Sequence, residues 1–167
     1  MSQAVLALGA NLGAPAEALQ SAVDALGGAG KVLAVSAVYQ TAPVGGPPQP
    51  DYLNAVLLLE TALTPRELLD FAHAVENAGG RERLERWGPR TLDIDVIAYD
   101  DLVSADPSLT LPHPRAHTRG FVLVPWAEIA PGAALPGHGP IIDLLDTVDT
   151  SGVRRVDDAA LTLPGVS

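Results

Sequence analysis

Apolar positions along the first part of the chain switch repeatedly between two rhythms. Residues 4–8 (AVLAL) form a short apolar run that ends at Gly9, the pattern of a buried strand. Pro15 can then open a helix at its first position, and Leu19, Val23 and Leu26 recur at helical spacing until Gly27-Gly28 stops it. Lys31–Tyr39 (KVLAVSAVY) is Val-rich and partly alternating, which predicts a strand. Residues 41–51 (TAPVGGPPQPD) hold four prolines and two glycines and must be a loop, long enough to invite a functional role, although a solvated linker would look the same. Tyr52–Glu60 (YLNAVLLLE) predicts a strand returning antiparallel. Thr64-Pro-Arg-Glu67 is a capping box, so a helix should run from there to about Ala78 with Leu68, Leu69, Ala72 and Val75 inward, before Gly79-Gly80 ends it. Leu92–Tyr99 (LDIDVIAY) alternates strictly and predicts another strand.

The resulting order, β-α-β-β-α-β, is the split βαβ arrangement of ferredoxin-like α+β proteins: an antiparallel sheet with helices packed on it. Beyond Tyr99 the pattern is less regular. Turns are followed by an apolar segment, Phe121–Ile129, and a short helix is expected near Ile141–Thr147, so the core carries a C-terminal extension. No repeat or linker divides the chain, and residues 1–167 are expected to form one domain, with 150–167 as a loosely packed tail.

Composition narrows the options. Hydrophobic residues make up 47% and charged residues 18%, a globular balance. A formal net charge of −10 argues against nucleic acid or an anionic membrane as partner, because both demand a basic surface. With no cysteine there can be no disulfide, thiolate metal site or cysteine nucleophile. Neither a signal peptide nor a run of ~18 apolar residues is seen, so a cytoplasmic protein is expected.

Against that acidic background, residues 86–97 (RWGPRTLDIDVI) concentrate both signs of charge. On a strand, positions i and i+2 share a face, so Asp93 and Asp95 project together, about 7 Å apart. Paired carboxylates repel unless a cation lies between them, and hard divalent cations such as Mg²⁺ favour oxygen ligands. Two solvated acids on an exposed strand would satisfy the same spacing. Arg81, Arg83, Arg86 and Arg90 precede them, and Arg115 and Arg119 follow. Arg offers planar paired donors suited to phosphate oxygens, although a salt-bridged surface loop would also explain the cluster. A polyphosphate carrying Mg²⁺ needs both partners at once. His113, held between two prolines and close to Arg115 and Arg119, is a further phosphate-contact candidate. Tyr52, Asn54 and Phe121 could stack and hydrogen-bond a flat heterocycle, or could simply be core residues. The common phosphate loops and the nucleophilic serine elbow are missing from the sequence.

The stretch RWGPRTLDIDVI resembles the signature of the 6-hydroxymethyl-7,8-dihydropterin pyrophosphokinase family of folate biosynthesis. GANLG, YQTAPVG, QPDYLNAV, LPHPRAHTRGFVLVP and EIAP fall in the same order as in that family, over about residues 4–131. The resemblance implies transfer of pyrophosphate from ATP to the pterin hydroxymethyl group, with release of AMP. It implies two Mg²⁺ ions held by Asp93 and Asp95, with Arg81 and Arg90 supporting the transferring phosphates and Asp95 a candidate to accept the hydroxyl proton. ATP contacts would come from Leu69, Glu76, Arg83, Arg86, Trp87, Arg90, Thr110, His113 and Arg119. The pterin would stack between Tyr52 and Phe121 and be read along its edge by Asn54 and by Thr41, Pro43 and Val44. ATP and the pterin would be the partners of a monomer. The chain differs from other members at His73, Ser108 and Pro114 and has a shorter segment between Arg81 and Trp87. Two other classes stay open on the residues alone: a non-catalytic ferredoxin-like ligand-binding module, and a metal-dependent phosphoesterase built on Asp93 and Asp95.

Overall fold

The structure is a computed structural model, and it describes residues 1–11, 13–42, 51–78, 92–157 and 159–164. Its elements, in chain order, are β1 (Ser2–Ala10), α1 (Pro15–Leu26), β2 (Lys31–Val35), β3 (Tyr39–Thr41), β4 (Tyr52–Thr61), α2 (Pro65–Ala78), β5 (Asp93–Tyr99), β6 (Ser104–Asp106), β7 (Leu109–Leu111), α3 (Gly120–Ile129), β8 (Ala134–Leu135), β9 (Gly139–Pro140), α4 (Ile141–Leu145) and β10 (Arg154–Arg155). A 3₁₀ turn, Ala116–Thr118, leads into α3. The main sheet runs β10-β3-β4-β1-β5, with β2 also on β4, and its pairs are antiparallel. The small hairpins β6–β7 and β8–β9 stand apart from it. This is the antiparallel α+β architecture expected from the sequence.

Alternation sorts the strand side chains into two layers. Leu6, Leu8, Leu57, Leu59, Ile94 and Val96 lie on one face and pack with Leu19 and Val23 of α1 and Leu68 and Ala72 of α2. Val5, Val56 and Ile97 lie on the other, against Val122, Leu123 and Trp126 of α3 and Ile141 of α4. The helix signals were accurate locally. Thr64 Oγ1 accepts the Glu67 N–H at 3.2 Å and Glu67 Oε1 accepts the Thr64 N–H at 2.9 Å, a reciprocal cap that starts α2 one residue later.

The structure departs from the sequence reading in one place and adds to it in two others. The strand expected over Lys31–Tyr39 is interrupted at residues 36–38, with β2 and β3 on either side, both still paired with β4. The Ser36 N–H keeps a backbone bond to the Val56 carbonyl at 2.9 Å, but the Ser36 hydroxyl accepts the Val56 N–H at 2.9 Å and the Glu128 carboxylate of α3 takes the Ala37 N–H at 3.1 Å, so side chains take over part of the pairing there. Phe121–Ile129 belongs to a helix that is apolar on nearly every side, so it carries no amphipathic period to announce it. Several described residues of the tail are tied to the rest of the fold. Residues Arg154–Arg155 add a strand to β3, the Val156 N–H bonds the Val38 carbonyl at 2.8 Å, and Leu161 and Leu163 pack on the α1/α2 core. Thr162 also exchanges hydrogen bonds with the Gln20 side chain, its N–H donating at 2.9 Å.

Glu128 ties α3 to the sheet a second time by accepting the Tyr39 hydroxyl at 2.7 Å. Burial pushes the Tyr39 pKa up to about 12, helped by the hydrogen bond to Glu128 and its charge. A raised folded-state pKa stabilises the fold fully below the ordinary value of 10.0, and this contribution is lost as pH rises through about 12. A spectrophotometric phenolate titration should show a step near pH 12, and Tyr39→Phe should remove it. A titration that Tyr39→Phe leaves unchanged near pH 12 would contradict the Tyr39–Glu128 contact.

Candidate active site

The site occupies the α3-facing side of the sheet, at the end that α3 leaves uncovered. Strand register builds its floor. Asp93 on β5 pairs across Gly9 on β1 to Asn54 on β4, and Asp95 lies beside Ala7 in the next row. The alternation that puts Ile94 and Val96 in the core directs Asp93 and Asp95 to the open face, where both are half-buried. Gly9 leaves a gap between the acids and the amide, because a Cβ there would stand 3.3 Å from Asn54 Oδ1. Asn54 Nδ2 donates to Thr41 Oγ1 at 2.8 Å, which orients the buried amide. Tyr52 lies opposite Thr41 at the start of β4.

The facing wall comes from the turn before α3 and the first residues of that helix. Arg119 Nη1 stands 3.9 Å from Asp95 Oδ2, and its guanidinium carbon lies 5.4 Å from the centre of the Phe121 ring. One cation therefore touches both the acidic and the aromatic parts of the site. Together these groups line a cleft of about 770 Å³, large enough for a substantial organic ligand. Thr41, Tyr52, Asn54, Asp93, Asp95, Arg119 and Phe121, all picked from sequence, meet there. Gly9, Arg115, Thr118, Asp149 and Val153 line it too.

His113 sits just behind this wall. Its backbone N–H bonds the Ile97 carbonyl at 2.8 Å, and its Nδ1 accepts the Arg115 N–H at 3.2 Å, which leaves Nε2 as the proton carrier of the neutral ring. Desolvation holds its pKa below the ordinary 6.5; Arg119 and Arg115 push the same way, while Asp95 opposes them. At neutral pH the imidazole is thus an uncharged donor.

Three other candidates do not line the cleft. Glu76 is buried on α2, behind β5, where its Oε2 accepts the Ile94 N–H at 2.9 Å and braces the strand that carries both aspartates. Leu69 is half-buried against the α1/α2 core. Thr110, on β7, donates to the Asp106 carbonyl at 3.0 Å. Pro43, Val44, Arg81, Arg83, Arg86, Trp87 and Arg90 lie outside the described residues. Of the cleft residues that sequence reasoning missed, Gly9 had a usable signal: a glycine within an alternating strand marks a place where something approaches the backbone closely. Asp149 and Val153 had none.

A two-signed cleft with an aromatic and amide end, on an antiparallel α+β scaffold, defines a small-molecule site suited to an anionic ligand carrying a flat ring. The comparisons agree with this class. The sequence model of the 7,8-dihydro-6-hydroxymethylpterin-pyrophosphokinase (HPPK) family matches residues 5–131. A 2-amino-4-hydroxy-6-hydroxymethyldihydropteridine pyrophosphokinase of Methylorubrum extorquens is 43% identical over 94% of this chain and 100% of its own length. The protein of the same name from Synechocystis is 46% identical over 92% of this chain and 80% of its own. The chain belongs to the HPPK family. A crystal structure of a Plasmodium falciparum HPPK-DHPS shares the fold at a TM-score of 0.77 and 13% identity, over 96% of this chain and 50% of that one. Among the described residues no helix is long and apolar enough to cross a membrane.

Proposed function

We propose that this cleft carries out the pyrophosphokinase reaction of its family, moving a pyrophosphoryl group from ATP to the hydroxymethyl oxygen of 6-hydroxymethyl-7,8-dihydropterin in folate biosynthesis. The new bond joins the alcohol oxygen to the β-phosphorus. The bond between that phosphorus and the oxygen bridging it to the α-phosphorus breaks, AMP leaves with the bridging oxygen, and the alcohol proton is lost. The observation that carries this reading is the single row Asp93–Gly9–Asn54, with Asp95 and Arg119 beside it and Phe121 closing it. Acids, cation, amide and aromatic ring face one space, which solvated surface acids would not require.

Within it Asn54, oriented by Thr41, reads the pterin edge, and Tyr52 and Phe121 supply the ring faces. Asp93 and Asp95 fit Mg²⁺ as oxygen donors accessible from one side, and they are the residues that would hold the two ions accompanying ATP. When bound, such ions neutralise charge on the phosphate oxygens. Arg119 adds a fixed guanidinium to the phosphate side, and neutral His113 a hydrogen-bond donor. Arg81 and Arg90 complete the cation set on sequence grounds, with Arg83, Arg86 and Trp87 as further ATP contacts. Asp95 is the nearest carboxylate to Arg119 among the described ion pairs and is assigned the alcohol proton. Attack by a primary alcohol on phosphorus depends chiefly on alignment and charge neutralisation, and this arrangement provides both.

Incubation with ATP, Mg²⁺ and 6-hydroxymethyl-7,8-dihydropterin should yield AMP only when the pterin is present. ADP and phosphate without pterin would instead identify a phosphoesterase. Saturable ligand binding without turnover would identify a binding module.

A further inference from the structure

The family match ends at residue 131, yet part of the cleft is built by residues well beyond it. Asp149, Gly152 and Val153 line the cleft from a short segment anchored at both ends. On the upstream side Val148 packs on the α3/α4 core; on the downstream side β10 pairs with β3, Arg154 opposite Gln40 and Arg155 opposite Tyr39. Between the anchors the chain closes a turn, with the Val153 N–H on the Thr150 carbonyl at 3.0 Å. The Ser151 N–H and hydroxyl both reach Asp149 Oδ1, at 2.9 and 2.7 Å. A segment tied this way presents a fixed surface.

Its position ties it to one end of the cleft. β10 lies beside β3, the strand that carries Thr41, and the turn lies against the first residue of α3, next to Phe121. A Cβ at Gly120 would stand 3.2 Å from the Asp149 carbonyl oxygen and 3.5 Å from Val153 Cγ2. Glycine there is what lets the segment come so close. The segment therefore spans from the strand carrying the edge-reading Thr41 to the helix carrying the stacking ring, away from the acids on β5.

We propose that residues 149–153 are the specificity wall of the pterin end, with the Val153 side chain setting how large a heterocycle the cleft admits. This rests on the functional reading above. Apolar bulk at a fixed wall limits ligand size by overlap, and its removal leaves space that a larger ligand can fill.

The test is steady-state kinetics of the full chain, with KM measured separately for each substrate. Val153→Trp should raise the pterin KM by about tenfold or more and leave the ATP KM within about twofold. Val153→Ala should shift the relative kcat/KM toward a pterin bearing one extra ring methyl group, by about fivefold. Arg154→Ala, an exposed change beside the wall, should match wild type. Circular dichroism and melting establish that each variant is folded. An unchanged pterin KM in folded Val153→Trp overturns the wall, as do equal rises in both KM values. Should Val153→Trp fail to fold, an unaltered pterin preference in Val153→Ala overturns it as well. A wild-type chain that makes no AMP with pterin refutes the functional reading and the wall with it; an active wild type with indifferent variants refutes the wall alone.

Discussion

Replacing Asp95 with alanine should lower kcat/KM by about a thousandfold or more, equivalent to ~4 kcal/mol of transition-state stabilisation. Besides taking the alcohol proton, the carboxylate has two roles in the proposed site. It would be an oxygen ligand for Mg²⁺, and it stands 3.9 Å from Arg119, which holds that guanidinium near the acids. Both roles concern charge balance on the transferring phosphates, so their loss weighs on the chemical step more than on ATP encounter. Stability should hardly move. The pair is partly exposed, at 26% for Arg119 and 45% for Asp95, and solvent-screened pairs contribute about 1 kcal/mol at most. Asp93→Ala should behave similarly, since it shares the strand face, and Asp95→Asn should not restore activity, because an amide keeps the shape and loses the charge. Near-normal turnover in folded Asp95→Ala would falsify the assignment of the metal-and-phosphate half.

Gly9→Val should produce the second-largest effect, on the other substrate. The pterin KM should rise about thirtyfold, or ~2 kcal/mol, with the ATP KM within about twofold. The reason is geometric. A Cβ at Gly9 already stands 3.3 Å from Asn54 Oδ1, and valine adds two methyl groups above a floor that glycine leaves open. Asn54 is held by Thr41 at 2.8 Å, so turning aside costs it that bond, while staying leaves less room for the heterocycle. Gly9→Ala should show the same trend more weakly. Valine suits a strand, so the melting temperature should change little, and a large fall in it with no change in KM would place the effect in the fold.

Much of this molecule is legible in its sequence, for identifiable reasons. Helices α1 and α2 announce themselves because proline, capping residues and helical apolar spacing act within a few residues of one another. Strand β5 was legible because strict alternation has one structural solution, and it placed Asp93 and Asp95 on one face with Ile94 opposite. The break in the strand over residues 36–38 was not legible, since it depends on Glu128, which is remote in sequence and reaches the Ala37 N–H only in the folded chain. Helix α3 reads in the sequence only as an apolar segment, because a largely apolar helix carries no amphipathic period. Glu76 drew notice only through resemblance, whereas the structure shows a carboxylate spent on the Ile94 N–H behind the acids.

By itself the sequence determined the α+β order, the acid pair, the cation-rich stretch before it and the family, because each rests on contiguous residues obeying local rules of spacing, capping and motif. Only the tertiary structure decided that Asp93, Gly9 and Asn54 form one row, that Arg119 touches both Asp95 and Phe121, and that Asp149, Gly152 and Val153 line the same cleft. Those relations are set by strand register and helix packing between segments far apart in the chain. Register follows from which apolar faces must be buried together, a condition satisfied only when the whole core assembles.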